Sequence, residues 1–170
     1  MGKIALAKYQ EIALKGKNRP MFTKALLRAL RATPEGIGIT AIKHLNSRII
    51  VELAPDFKWA DIAAHISSIF GIEKFSLATR LPADLEAIKI AIKEEIAAHK
   101  NSANFRIHVA RADKTFPIKS KDMEIALGAF VQEITQLPVN LKYAELTITV
   151  EIDPGEAYLY FDHSPGLGGL

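Results

Sequence analysis

The sequence contains no cysteine. That absence removes disulfides, thiolate zinc sites, persulfide carriage and cysteine nucleophiles together, so sulfur or thioester chemistry is expected to be done by groups outside these residues. It also lacks a long apolar run. The opening MGKIALAKY alternates apolar and polar residues without an apolar core or a small-residue cleavage site, so neither a signal peptide nor a membrane span is expected, and the cytoplasm is the expected location. Leu6 stands where a myristoylation signal requires Ser or Thr. The loops of familiar enzymes are missing too: there is no GxxxxGK followed by Ser or Thr, no GxSxG and no HExxH. The five histidines, His44, His65, His99, His108 and His163, fall singly in the chain, so each is expected as a surface or core side chain and not as a metal ligand.

What is present is apolar content and an uneven charge. The chain has 170 residues, 49% of them hydrophobic, enough to build one domain of ordinary size or two small packed cores. The net charge is only +3, but residues 1–80 hold 13 basic against 6 acidic residues while the remainder holds 9 against 13. Such asymmetry points to a polyanion on one side of the molecule, although basic halves also occur in proteins that touch no nucleic acid.

Periodicity gives an ordered set of elements. Alternation over Lys3 to Lys8 puts Ile4 and Leu6 on one face of a first strand, and Phe22, Leu26, Leu27 and Leu30 recur at helical spacing after Pro20, with a loop from Glu11 to Asn18 between them. Ile39 to Lys43 and Arg48 to Leu53 read as a hairpin turning at Asn46, Pro55-Asp56 opens a helix striped by Trp59, Ile62, Ile66 and Ile69, and Gly71 closes it before a strand over Glu73 to Thr79. The order βαββαβ is ferredoxin-like. After Pro82, Asp84 caps a helix with Leu85, Ile88, Ile92 and Ile96 on one face; a strand over Phe105 to Arg111, a loop to Lys119 and a helix from Ser120 follow, with Gly128 marking close packing in that helix. Val139 to Leu141, Leu146 to Ile152 and Ala157 to Phe161 complete the chain as strands, the last two joined by the turn Asp153-Pro154-Gly155. The expected fold class is therefore α+β, with residues 1–80 forming a ferredoxin-like βαββαβ domain and a second α/β domain after it.

Two basic segments carry the candidate chemistry. EIALKGKNR, Glu11 to Arg19, sets Lys15, Lys17 and Arg19 around Gly16 immediately before a helix N-terminus, where backbone amides and the helix dipole favour a phosphate; Asn18 can donate there or cap the helix. Lys24, Arg28 and Arg31 then share one helix face, either a solvated stripe or a continuation of that surface. FRIHVARADKTFP, Phe105 to Pro117, with Lys119 and Lys121 behind it, brings Arg106, Arg111, Lys114, Lys119 and Lys121 against Asp113 alone. Phe116 reads as core or as a base-stacking ring, and Asp113 as fixing the loop through an Asx-type bond or pairing with Arg111 rather than acting as a base.

EIALKGKNR, FRIHVARADKTFP and the closing SPGLGGL resemble, in order and spacing, the N-terminal half of the tRNA 4-thiouridine synthetase family, also called tRNA sulfurtransferase. The resemblance implies that residues 81–165 form a THUMP domain and residues 166–170 the start of a linker. It implies tRNA as partner, held near its acceptor end, with Lys15, Lys17, Asn18 and Arg19 on the RNA backbone and Arg111, Lys114 and Lys119 on the THUMP surface. It further implies a catalytic ATP-pyrophosphatase domain, in cis or in trans, bearing an SGGxDS loop and a cysteine, with a link to thiamine biosynthesis. Neither feature occurs here, so no cofactor is expected on this chain, ATP and magnesium being expected only for that other domain. No membrane contact is implied, and a homodimer is admitted. Two rival readings share the fold: a stand-alone RNA-binding adaptor, and a small-molecule-binding regulatory module of ferredoxin-like shape; an acylphosphatase-type enzyme would find only a faint echo in Asn18 and Arg19.

Overall fold

In the computed structural model, residues 2–9, 19–45, 48–99 and 101–164 are described. The chain divides into two compact units, one spanning Lys3–Leu77 and the other running from Ala78, so the last five residues of the strand Ile72–Pro82 belong to the second. In the first, β1 (Gly2–Tyr9), α1 (Arg19–Arg31), β2 (Ile39–Leu45), β3 (Arg48–Leu53), α2 (Trp59–Ser67) and β4 (Ile72–Pro82) follow in the order βαββαβ. The sheet order is β2-β3-β1-β4, with β1 antiparallel to β3 (Leu6 opposite Ile50) and β3 antiparallel to β2. This is the ferredoxin-like arrangement. Ala5, Ala7 and Tyr9 of β1 pack with Ile49 and Val51 of β3 against Leu26 and Leu30 of α1 and Ile62 and Ile66 of α2. Ile4 and Leu6 are buried on the one face that their alternation implies, but Ala5, Ala7 and Tyr9 are buried on the other, so the strand is not the half-buried one that the alternation predicts. A central strand covered on both sides needs a continuous apolar run, and Ile4-Ala5-Leu6-Ala7 supplies one.

Two further expectations need correction here. α2 begins at Trp59, not at Pro55-Asp56, because those two residues form a turn in which Phe57 N donates to Ala54 O at 3.1 Å. β4 continues past Thr79 to Pro82, since its last four residues pair with β7, from Thr79 opposite Leu159 to Pro82 opposite Glu156. The partner lies far along the sequence, so no local pattern announces the extension.

The second unit contains α3 (Leu85–Glu95), continued by a 3-10 turn (Ile96–His99), β5 (Phe105–Arg111), α4 (Ser120–Thr135), β6 (Leu146–Asp153) and β7 (Glu156–His163). Asp84 caps α3 by accepting Ala87 N at 2.9 Å. The sheet order is β4-β7-β6-β5, with β5 and β6 parallel and β7 antiparallel to both its neighbours. Parallel pairing requires a crossover, and α4 provides it. Phe105, Ile107 and Val109 face Met123, Leu127 and Val131 of α4 and Ile88 and Ile92 of α3 in one core. The strand expected over Val139 to Leu141 is reduced to a single bridge from Val139 to Phe105. Asn140 accounts for this: its side-chain oxygen accepts Lys142 N and Tyr143 N at 3.2 and 2.9 Å, which turns the backbone out of line. Gly128 does not mark close packing either, because a Cβ built on it meets nothing within 4 Å.

Candidate nucleic-acid interface

In the first unit, the apolar spacing of α1 buries Leu26 and Leu30 and thereby leaves Lys24, Arg28 and Arg31 in solvent. Arg28 and Arg31 lie in the last turn, where cations also suit the negative end of the helix dipole. His65 of α2 meets the Leu30 carbonyl through Nε2 at 3.1 Å; a carbonyl only accepts, so that nitrogen carries the proton. Arg19 is the first residue of α1. Lys15, Lys17 and Asn18 lie outside the described residues, as do the turn at Asn46 and the segment Pro165 to Leu170.

In the second unit the loop after β5 is built as a fixed platform. Ala112 N and Asp113 N both donate to Ile152 O, at 2.8 and 3.3 Å, tying its start to β6. Asp113 Oδ1 accepts the backbone N–H of Thr115 at 2.9 Å and the Thr115 hydroxyl, an Asx turn. Those two bonds, with the Arg111 charge as a lesser cause, hold the Asp113 carboxyl below its ordinary pKa. Arg111 closes the loop from the other side, Nη1 donating to Phe116 O at 2.8 Å and Ile118 O at 3.2 Å. Phe116 and Ile118 pack against the core, which decides between the two readings of Phe116. The side chains left outward are Lys114, Lys119 and Lys121. Lys119 is also the N-cap residue of α4 and makes no side-chain cap hydrogen bond, and Lys121 is exposed in the first turn of that helix.

The structure also brings together what the sequence scatters. His99 Nδ1 and His163 Nε2 lie 2.6 Å apart although 64 residues separate them, and the His99 ring stacks on Phe161 with centroids 4.5 Å apart. No local sequence signal announces this pair, because 64 residues separate its members. Glu124 of α4 accepts the backbone N–H of Val109 at 3.0 Å. Among the described residues no group of three His, Asp or Glu side chains is placed to hold a metal ion, and no helix is long and apolar enough to cross a membrane.

A ferredoxin-like unit followed by a unit that carries a basic loop on a parallel β5-β6 pair defines a two-domain protein of the ThiI ferredoxin-like plus THUMP class: residues 4–76 match the family model of the ThiI ferredoxin-like domain and residues 82–162 that of the THUMP domain. The chain is 38% identical over 95% of its length to a probable tRNA sulfurtransferase of Thermus thermophilus and 34% identical over its whole length to one of Coxiella burnetii. It belongs to the tRNA sulfurtransferase family, as the ferredoxin-like and THUMP portion of it. It spans 39% and 45% of the length of those two relatives. A crystal structure of a 4-thiouridine synthetase–RNA complex with bound ATP aligns with 98% of the chain at 25% identity and a TM-score of 0.78, the chain covering 43% of it. PH1313 from Pyrococcus horikoshii, at 24% identity and a TM-score of 0.79, shares the fold over 97% of this chain and 56% of its own.

Proposed function

We propose that this chain is a tRNA-binding module that positions tRNA by its acceptor end for 4-thiouridine synthesis, the chemistry being done by an ATP-dependent sulfurtransferase domain outside these 170 residues. The observation that carries the reading is the match, over nearly the whole chain, to a 4-thiouridine synthetase solved with RNA. Two exposed cationic surfaces support it: Lys24, Arg28 and Arg31 on α1, and Lys114, Lys119 and Lys121 on the loop and first turn of α4. Lys15, Lys17, Asn18 and Arg19 complete the proposed contact set, and Arg111 serves it by holding the loop that carries the lysines. Cations spread over a rigid surface read phosphate positions, hence the shape of an RNA, because the narrow major groove of A-form RNA hides its base edges.

ATP and magnesium belong, in this reading, to the other domain: nothing in the sequence cradles a nucleotide, and without a thiol no side chain can carry a persulfide. The module supplies placement, which converts an encounter into a positioned reaction. Fluorescence anisotropy with total tRNA tests the binding. Affinity should fall with salt along a log–log slope of about −3 to −6, the release expected if that many cations engage; absence of binding at low salt would overturn the reading.

A further inference from the structure

Leu30 lies in the last turn of α1, between Arg28 and Arg31. A helical carbonyl is normally met by the N–H four residues on, and four residues after Leu30 stands Pro34, which has none. The chain leaves the helix here: Ala32 N still donates to Arg28 O at 3.0 Å, whereas Thr33 N donates back to Arg31 O at 2.8 Å. The Leu30 carbonyl is met instead from another element, by His65 Nε2 of α2 at 3.1 Å. The other half of α1 is fixed from the same side. A Cβ on Gly71, in the turn that follows α2, would come within 2.6 Å of Phe22 Cζ and 3.7 Å of Leu26 Cδ1. Phe22, Leu26 and Leu30 run along one face of α1 at intervals of four, and the exposed Lys24, Arg28 and Arg31 lie on the other.

A helix held at one place along its apolar face is free to roll about its axis, and one held at both ends is not. A roll of about 20° carries a side-chain tip, about 5 to 6 Å from the axis, by about 2 Å, enough to take a hydrogen bond out of range. The direction of the α1 cations therefore depends on the bond at the helix's far end. We propose that His65 is a positioning residue for RNA binding: by donating to the carbonyl that Pro34 leaves unmet, it fixes the last turn of α1 and with it the aim of Arg28 and Arg31 at phosphates. His65 itself touches no RNA. The inference deepens the RNA-binding role proposed above and rests on it.

The test measures total-tRNA affinity against salt for the unaltered chain, for His65→Gln, His65→Asn and His65→Leu, and for Arg28→Ala combined with Arg31→Ala. Glutamine carries its amide nitrogen where imidazole has Nε2, asparagine carries it where imidazole has Nδ1 and falls short of the carbonyl, and leucine has no donor. His65→Gln should keep the parent's affinity and slope. His65→Asn and His65→Leu should make the log–log slope shallower by about 1 to 2, toward that of the double arginine variant, because each cation withdrawn from a phosphate releases about one counterion fewer. Adding His65→Leu to the double arginine variant should leave its slope unchanged. Loss of folded protein alone has a different signature, since it scales the apparent affinity by the competent fraction and leaves the slope where it was. Weaker binding with the parent's slope in His65→Asn and His65→Leu would thus overturn the positioning role in favour of plain stability. A parent-like slope in the double arginine variant would overturn it too, by taking the end of α1 out of the footprint. If the parent itself binds no tRNA at low salt, the RNA-binding reading falls and the positioning role with it.

Discussion

Arg111 donates to the main-chain carbonyl of Phe116 at 2.8 Å, so the guanidinium that the sequence offers as an RNA contact is engaged in holding the loop that displays the lysines. Two of its bonds run to backbone oxygens of that loop, the second to Ile118 at 3.2 Å.

Arg111 and the neighbouring lysines should therefore behave differently when replaced. Arg111→Ala removes a part-buried charged donor and leaves two carbonyls to find other partners, which should cost about 1 to 3 kcal/mol and weaken tRNA binding through a loosened loop. Lys114→Ala with Lys119→Ala should leave the melting temperature unchanged and make the salt slope shallower by about 2, since each lysine removed from a phosphate releases one counterion fewer. Thermal melts and anisotropy on the same preparations check both; an Arg111→Ala protein that melts with the parent would show the two carbonyl bonds to be dispensable.

Two glycines should respond in opposite directions. Gly71 has φ +101° and its missing Cβ leaves room for Phe22, so Gly71→Ala adds backbone strain and a clash, and should destabilise the first unit by about 1 to 3 kcal/mol. Gly128 lies inside α4 with nothing within 4 Å of a built Cβ, so Gly128→Ala should stabilise by about 1 kcal/mol through helix propensity alone. Chemical denaturation of both variants decides the matter, and a destabilised Gly128→Ala protein would reveal packing there after all.

Gly71, legible as a helix stop, and Gly128, whose open surroundings the sequence hides, mark a general division in this chain. Strand alternation in Phe105 to Arg111, the Asp84 cap and the βαββαβ order are local periodicities and short-range hydrogen bonds, and the structure has them. The features that depart from the sequence pattern depend on distant neighbours: Ala5 and Ala7 buried behind the face that Ile4 and Leu6 fill, β4 extended by β7, and Val139 held to Phe105 by one bridge. The exposed stripe of Lys24, Arg28 and Arg31 follows from the burial of Leu26 and Leu30 and could be read from spacing. That Arg111 points into its own loop could not, because the carbonyls of Phe116 and Ile118 come within reach only after Asp113 has turned the chain.

Glu124 of α4 should prove structural. Its carboxylate accepts Val109 N at 3.0 Å and lies 3.8 Å from His108 Nδ1, closing part of the outer edge of β5, which otherwise offers an unpaired N–H to any passing strand. Glu124→Leu should lower stability by about 1 to 3 kcal/mol and increase aggregation on warming, with tRNA affinity at low temperature unchanged. Light scattering during a thermal ramp reads the second effect, and a Glu124→Leu protein as resistant to aggregation as the parent would mean the edge is guarded by other groups.

The His99–His163 pair should make the second unit weaken in acid. With Nδ1 of one ring 2.6 Å from Nε2 of the other, one nitrogen donates and its partner must accept, so the hydrogen bond breaks when both rings are protonated. Burial, and then the neighbouring His163, lower the pKa of His99 below its ordinary value of 6.5, while Glu95 acts weakly in the opposite sense. A histidine whose folded pKa is depressed binds fewer protons in the native state than in the unfolded one. Its stabilising contribution is thus fully present above pH 6.5 and disappears as the pH falls toward the lower folded value. The melting temperature should fall between about pH 7 and pH 5 more steeply than in His163→Gln, whose amide can still meet the His99 ring but does not take up a proton. His99 should also titrate at a higher pH in that variant, since the positive neighbour that opposes its protonation is gone. Nuclear magnetic resonance of the imidazole protons measures this directly, and a His99 pKa unmoved by His163→Gln would show that His163 does not act on His99.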